Sequence, residues 1–156
     1  FGGRMNPGLL RRYDGDFDEW LELLLAWKEG VGIGDEVPQT LYLLKDGSGT
    51  ILGAASLRHY LNHTNIVDGG HVGYGICPEY RGRGYGTLLL RLSLRRLSAM
   101  GVERVLVTCD SDNEASRRVI LANGGVLENH ALDEDGIPID RFWIDNARPG
   151  RSDPQN

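Results

Sequence analysis

The chain has 156 residues, 40% of them apolar and 25% charged, which is the size and composition of one ordinary globular domain. Seventeen Lys and Arg against 22 Asp and Glu give a net charge of −5, which excludes a nucleic-acid binder working through a basic face and mildly suits a cationic partner. No apolar run approaches the roughly 20 residues of a membrane span, so a soluble, cytoplasmic protein with no membrane partner is expected. Glycine is the unusual number: 22 of 156, about twice the common share of roughly 7%.

The elements follow in chain order. From Asp16 to Glu29, Phe17, Trp20, Leu21, Leu24 and Trp27 recur at helical spacing; Asp16 with Glu19 reads as a capping box, and Gly30 as the stop. This aromatic and leucine stripe is expected in the core. Residues 41–45 and 51–60 flank Asp46-Gly47-Ser48-Gly49, a hairpin signal. Residues 71–77 read as a strand stopped by Pro78. A Leu-rich helix follows over 85–100, then a near-continuous apolar strand over 102–110 of the kind buried on both faces. Ser111 with Glu114 reads as a second capping box, opening a helix that ends at Asn123-Gly124-Gly125. A hairpin over 126–132 and 137–144 turns at Asp133-Glu134-Asp135-Gly136. The order α, ββ, β-α-β, α, ββ predicts one α+β domain with a mixed α/β sheet and a right-handed central crossover.

The chemistry concentrates in Tyr74-Gly-Ile-Cys-Pro-Glu-Tyr-Arg-Gly-Arg-Gly-Tyr-Gly-Thr87. A strand runs into a loop with Gly82, Gly84 and Gly86 at alternate positions, and the loop opens directly into a helix. Without Cβ atoms, successive N–H groups can turn toward one ligand, and the helix N-terminus adds unpaired donors; Arg81 and Arg83 add charge. This is an anion site suited to a pyrophosphate. No Lys follows these glycines, so a P-loop is excluded. The dinucleotide fingerprint GxGxxG fails at Thr87 and at Leu89, although Asp110 could stand in for its ribose-binding acid. Arg81-Gly-Arg-Gly84-Tyr-Gly86 meets a third pattern, Arg/Gln-x-x-Gly-x-Gly/Ala.

That pattern resembles the pyrophosphate signature of the GNAT superfamily, the acetyl-CoA-dependent N-acetyltransferases, and the resemblance runs over about residues 37–144. Element order agrees, as do Asn113 and the Asn123-Gly124 helix end. Arg58-His-Tyr-Leu-Asn62, Gly70-His-Val-Gly-Tyr-Gly-Ile76 and Gly124-Gly-Val-Leu-Glu-Asn129 are similar to a bacterial branch of predicted acetyltransferases without a settled substrate. The family's first strand is not evident in residues 1–13. The resemblance implies one GNAT-like domain over 1–156. It also implies acetyl-CoA as cosubstrate, bound by Gly75, Ile76, Cys77, Arg81, Gly82, Arg83, Gly84, Tyr85, Gly86, Thr87 and Asn113. The acetyl group would pass to a primary amine of a small molecule or peptide by direct transfer in a ternary complex.

In the family the strand before the loop splays from its parallel neighbour, and the pantetheine arm lies between them. Gly73 and Gly75 would then let a ligand approach the strand, with a backbone N–H near Tyr74 or Gly75 holding the thioester oxygen. The family's helix Tyr falls on Ile120 here, so the usual proton donor is absent. Tyr74 and His71 are the candidates for the chemistry, the even-numbered strand face being the expected substrate side. Arg58 and Asn62 are candidates for the acceptor pocket, with His59 beside them. Cys77 and Cys109 read as reduced thiols, covalent transfer through Cys77 being the minor alternative. No metal spacing is present, and the C-terminal hairpin allows a homodimer. The alternative function is an acyl-CoA-binding or sensing module without turnover.

Overall fold

The computed structural model describes residues 6–12 and 15–147. A 3-10 turn, Gly8–Arg12, precedes helix α1 (Phe17–Lys28). Strands β1 (Gln39–Lys45), β2 (Ile51–Arg58) and β3 (Val72–Ile76) form one antiparallel sheet in that order. Helix α2 (Tyr85–Ala99), strand β4 (Arg104–Asp110), helix α3 (Glu114–Ala122) and strands β5 (Val126–Leu132) and β6 (Pro138–Asp145) complete the chain, with β6 central in a second antiparallel sheet, β4-β6-β5. The expected order of elements is present. The sheet, however, is two sheets, and the crossover strands β3 and β4 are not laddered together. Within residues 1–13, where the family's first strand is not evident from sequence, residues 1–5 and 13 lie outside the described residues, and Gly8–Arg12 is a 3-10 turn.

One core serves both sheets. Leu89, Leu90, Leu94 and Leu97 of α2 pack with Leu57 and Val72 of the first sheet, with Val105, Val107, Phe142 and Ile144 of the second, and with Ile120 of α3. Each of these residues is less than a tenth exposed. Their burial supplies on the order of 2 kcal/mol per side chain. The period-2 strands and period-3.6 helix place this set on one side, as the pattern predicts.

Helix α1 departs from expectation. Only Trp27 is buried; Phe17, Leu21 and Leu25, at i, i+4 and i+8, are exposed, and Phe17 meets Trp20 at a 5.8 Å ring separation. Its apolar arc is wider than β1, the strand it mainly packs against among the described residues, can cover. Asp16 caps it through Asp18 N–H at 2.7 Å. No helix among the described residues is long and apolar enough to cross a membrane.

The two sheets are joined at His71. Its backbone N–H donates to Leu106 O (2.8 Å), and its ring Nδ1 accepts from Leu106 N–H (3.0 Å). A side chain thus completes what a parallel ladder would do with backbone alone. Gly70, at φ +59°, leaves no room for a Cβ against the Leu106 carbonyl, which is why glycine leads into this residue. Nδ1 can accept only while unprotonated. Burial, followed by the positive charge of Arg58, pushes the imidazole pKa down to about 4.

An unfolded histidine protonates near the ordinary 6.5. The stability this bond contributes is therefore complete above pH 6.5 and is lost as pH falls from there toward 4. His71→Leu, which leaves the buried Leu106 N–H unpaired, is expected to cost about 1–3 kcal/mol at pH 7. It should also flatten the fall in stability between pH 6.5 and 4, both read by urea unfolding across pH.

Candidate functional site

Beyond His71, β3 and β4 diverge, and the parity of their ladders decides what faces the gap. Arg58 N–H bonds to His71 O, and Cys77 N–H to Leu52 O. In an antiparallel pair the bonded residues alternate, so the backbone groups of His71 C=O, Gly73, Gly75 and Cys77 turn to β2. Those of Val72, Tyr74 and Ile76 turn the other way, toward β4. On β4, Ser111 N–H bonds to Pro138 O and Asn146 N–H to Glu103 O, so odd-numbered residues pair with β6. Leu106, Thr108 and Asp110 turn toward β3. Two strand edges therefore face each other across an opening with no ladder between them among the described residues. Buried backbone donors and acceptors need partners, and an extended amide-bearing ligand supplies them.

At the wide end of the gap lies the loop Cys77–Gly84. Pro78–Tyr80 forms a 3-10 turn that redirects the chain out of β3. Gly82 and Gly84 sit at φ +72° and +84°, a region other residues rarely adopt, and open space surrounds both. Gly84 is the N-cap of α2 and offers no side-chain cap. Among the described residues, nothing accepts a hydrogen bond from the N–H groups of Gly82 through Thr87. Arg81 Nε donates to Ile76 O (3.1 Å), pinning the loop to the strand, and the Arg83 guanidinium lies 5.8 Å from the Tyr80 ring centre. Gly86 faces Val119, where a Cβ would stand 3.2 Å from its methyl, so this glycine serves the close approach of α2 and α3. The result is a bare, electropositive cradle at a helix N-terminus, continuous with the open strand edge.

The second wall is α3. Its N-cap is Asn113, whose Oδ1 accepts from Ser116 N–H at 3.0 Å. The capping box expected from Ser111 and Glu114 does not form, because Ser111 Oγ is drawn instead to Asp140 Oδ1 at 2.7 Å. Asp140, fully buried on β6, also binds Arg117 Nη2 and His130 Nδ1 (2.6 Å). Burial works to raise its pKa, but the bonds from Ser111 and His130 and the charge of Arg117 outweigh it and hold the carboxyl below its ordinary value. Arg117 also donates to Ser111 O, so one carboxylate ties the β4–α3 turn to the first turns of the helix. Cys109, opposite Asp140 in the ladder, has its thiol pushed up to about 11 by burial and then by the Asp140 charge.

Tyr74 closes the gap on the α2–α3 side. Its hydroxyl lies 2.7 Å from Ser116 Oγ and 3.5 Å from Ser116 O, so it spans from β3 to α3. Burial pushes its pKa up to about 12; the Ser116 bond works the other way. Ile120, one turn further along α3, is fully buried and presses against Gly125.

Tyr74, Ile76, Arg81, Gly82, Arg83, Gly84, Tyr85, Gly86 and Thr87 follow one another along β3, the loop and the first turn of α2, and Asn113 caps α3, the helix that Tyr74 reaches. The other named residues are engaged within the protein's own fold. His71 is at the closed end, with Nδ1 engaged. The even-numbered face of β3, expected as the substrate side, packs Val72, Tyr74 and Ile76 toward the core and α3. Gly73 and Gly75 face away from it and meet the protein's own chain: Pro7 lies against Gly73, and a Cβ on Gly75 would overlap the Asn6 carbonyl. Cys77 Sγ is turned to Ile51 O at 3.6 Å. Arg58 Nη1 donates to Gly70 O (2.8 Å). Asn62 donates to Asp35 O and accepts from Thr64 and Asn65 N–H, organising its own loop. His59 pairs with Thr40 Oγ1 at 2.8 Å. Ser116, Asp140 and the Asn6–Pro7 segment were not singled out from sequence; the first two are ordinary residues until the fold brings them to Tyr74 and Arg117.

The sequence profile of the acetyltransferase (GNAT) domain family matches residues 8–126. The chain belongs to that family of acetyltransferases. It is 32% identical over 91 residues to a mycothiol acetyltransferase of Corynebacterium diphtheriae, an alignment covering 58% of this chain and 30% of that protein. The chain therefore spans less than a third of that relative. Among solved structures it superposes on a spermidine N-acetyltransferase of Vibrio cholerae with TM-score 0.60 and 17% identity, over 88% of this chain and 84% of the other. It also superposes on YncA of Salmonella typhimurium with its cofactor acetyl-CoA, with TM-score 0.61 and 17% identity, over 92% and 81%.

Asp140→Ala removes the shared partner of Ser111, Arg117 and His130. Unfolding in urea should show a loss on the order of 3 kcal/mol, typical of breaking a buried charge pair from one side. Stability equal to wild type would show that α3 is held by packing alone.

Proposed function

We propose that the protein is an acetyl-CoA-dependent N-acetyltransferase acting on a primary amine of a small molecule or peptide by direct transfer. The observation that supports this best is the continuity of an unpaired strand edge with an uncapped, glycine-lined helix N-terminus. The first suits the amides of a pantetheine arm, the second its pyrophosphate. Acetyl-CoA supplies an acetyl thioester. The loop amides of Gly82–Thr87 with Arg81 and Arg83 hold the phosphates, and the backbone of Tyr74 and the N–H of Ile76 pair with the arm. The second wall is Asn113 with the α3 N-terminus.

Of the two amides considered from sequence, Tyr74 N–H faces the gap while Gly75 N–H pairs with β2. Tyr74 N–H therefore donates to the thioester oxygen and stabilises the charge that builds there. The amine lone pair attacks the carbonyl carbon, and the carbon–sulfur bond breaks. The Tyr74 hydroxyl, kept protonated by its raised pKa, gives its proton to the departing sulfur; the proton shed by the new amide nitrogen restores it. Ser116 Oγ holds the hydroxyl in place. His71 acts as the hinge pin of the gap rather than as a base.

The alternative, an acyl-CoA-binding module without turnover, is favoured by one observation: Ile120 occupies the helix position where a proton-donating Tyr is usual, and it is buried. Thiol release with an amine panel separates the two readings. Wild type is expected to release thiol with at least one amine; Tyr74→Phe should lower kcat about 100-fold while keeping the acetyl-CoA-induced rise in Tm. Arg83→Glu changes only an exposed side chain, so its Tm without ligand should match wild type. Its acetyl-CoA-induced rise should shrink or vanish. No such rise in the wild-type protein would overturn the proposal.

A further inference from the structure

The gap between β3 and β4 has two open sides, one on each face of the sheets. The face of α2 and α3 is closed by the Tyr74–Ser116 bridge. Over the other face runs the N-terminal segment. Pro7 is less than 2% exposed and lies 3.7 Å from where a Cβ on Gly73 would be. The Asn6 carbonyl oxygen occupies the place of the missing Cβ of Gly75, with Asn6 C only 3.2 Å from it. Neither glycine has positive φ, so neither is required by backbone conformation. At Gly75 the absent side chain is explained by this close approach. Among the described residues no donor bonds to the Asn6 oxygen.

We propose that the Asn6–Pro7 segment is the acceptor-side wall of the reaction centre, and that the Asn6 carbonyl oxygen holds the N–H of the incoming primary amine. This rests on the acetyl-transfer reading above. A thioester oxygen bonded to Tyr74 N–H points within the plane of the sheet, because strand N–H groups lie in that plane. The faces of the carbonyl carbon then coincide with the two faces of the gap. Tyr74 and Ser116 fill one of them. The nucleophile arrives from the other, past Asn6, one residue along the strand from the N–H that holds the oxygen. A neutral primary amine keeps two N–H donors while its lone pair attacks. A bare carbonyl oxygen can orient it without protonating it.

The two glycines provide the test. Gly75→Ala puts a methyl into the Asn6 carbonyl and should lift the segment off β3. Gly73→Ala makes only an ordinary contact with Pro7 and should leave it in place. Pro7→Ala loosens the same segment with no substitution in the strand itself, so the experiment does not depend on one variant folding. Trypsin cleavage after Arg12, the acetyl-CoA-induced Tm rise and steady-state thiol release with the best amine of the panel are measured on all three. Gly75→Ala and Pro7→Ala are expected to be cleaved faster, to keep the acetyl-CoA shift, and to raise KM for the amine about tenfold, the worth of one hydrogen bond. Gly73→Ala should match wild type in all three.

Faster cleavage with an unchanged amine KM would overturn the proposal, as would loss of the acetyl-CoA shift in Gly75→Ala, which would make that glycine a cofactor contact. No acetyl-CoA shift in wild type would remove the reaction on which the proposal rests. That failure is distinguishable, because the cleavage difference between the two glycine variants would remain.

Discussion

The candidate site depends on two neighbouring strands, β3 and β4, whose hydrogen bonds among the described residues are confined to His71 and Leu106. The reciprocal pair between His71 and the Leu106 backbone joins the sheets at the closed end of a wedge. Because the imidazole replaces a backbone acceptor, the connection needs no second rung, and the strands are free to diverge immediately. Had the ladder continued, Tyr74, Ile76 and Thr108 would have spent their backbone groups on each other. Divergence leaves the Tyr74 and Thr108 groups and the Ile76 N–H facing an opening inside a well-packed domain, where water or an extended ligand must complete them, while Arg81 takes the Ile76 carbonyl. The shared core under α2 lets both sheets keep their packing while their edges part.

The opening is built asymmetrically. On one face, a carboxylate at the centre of the second sheet, Asp140, orients the start of α3 and so sets where Ser116 meets Tyr74. On the other face the chain's own N-terminal segment lies on a strand stripped of side chains. The glycines thus serve four separate physical needs. Gly82 and Gly84 adopt a backbone conformation and leave donors uncovered; Gly86 lets two helices approach; Gly75 admits a carbonyl from a distant segment. Gly70 serves the wedge itself, where a Cβ would collide with Leu106. A single compositional excess hides these different causes.

Much of the fold was legible because the relevant forces are local. The turn signal between 41–45 and 51–60, the leucine arc of α2 and the glycine stops mark elements regardless of what surrounds them. The cradle was legible for the same reason, since loop and helix N-terminus are contiguous in the chain. The failures share the opposite character. Ser111 looked like a cap until a carboxylate 29 residues away claimed its hydroxyl, leaving Asn113 to cap α3. The stripe of α1 looked like core, but burial depends on how wide a surface the rest of the fold presents to it, and only Trp27 finds enough. Tyr74 and His71 were picked out by type and position, yet their partners, Ser116 and Leu106, lie 42 and 35 residues further on.

By itself the sequence determined the order of elements, the glycine cradle between a strand and a helix, and the absence of a Tyr at position 120. These follow from covalent neighbours, whose geometry repeats every two or 3.6 residues. Only the tertiary structure decided which edge of β3 stays open, which face its side chains occupy, and what lies against Gly75. Strand parity says that alternate residues face opposite ways. It does not say which way is out, because that is set by the partner strand, and the partner is chosen by contacts far apart in the chain.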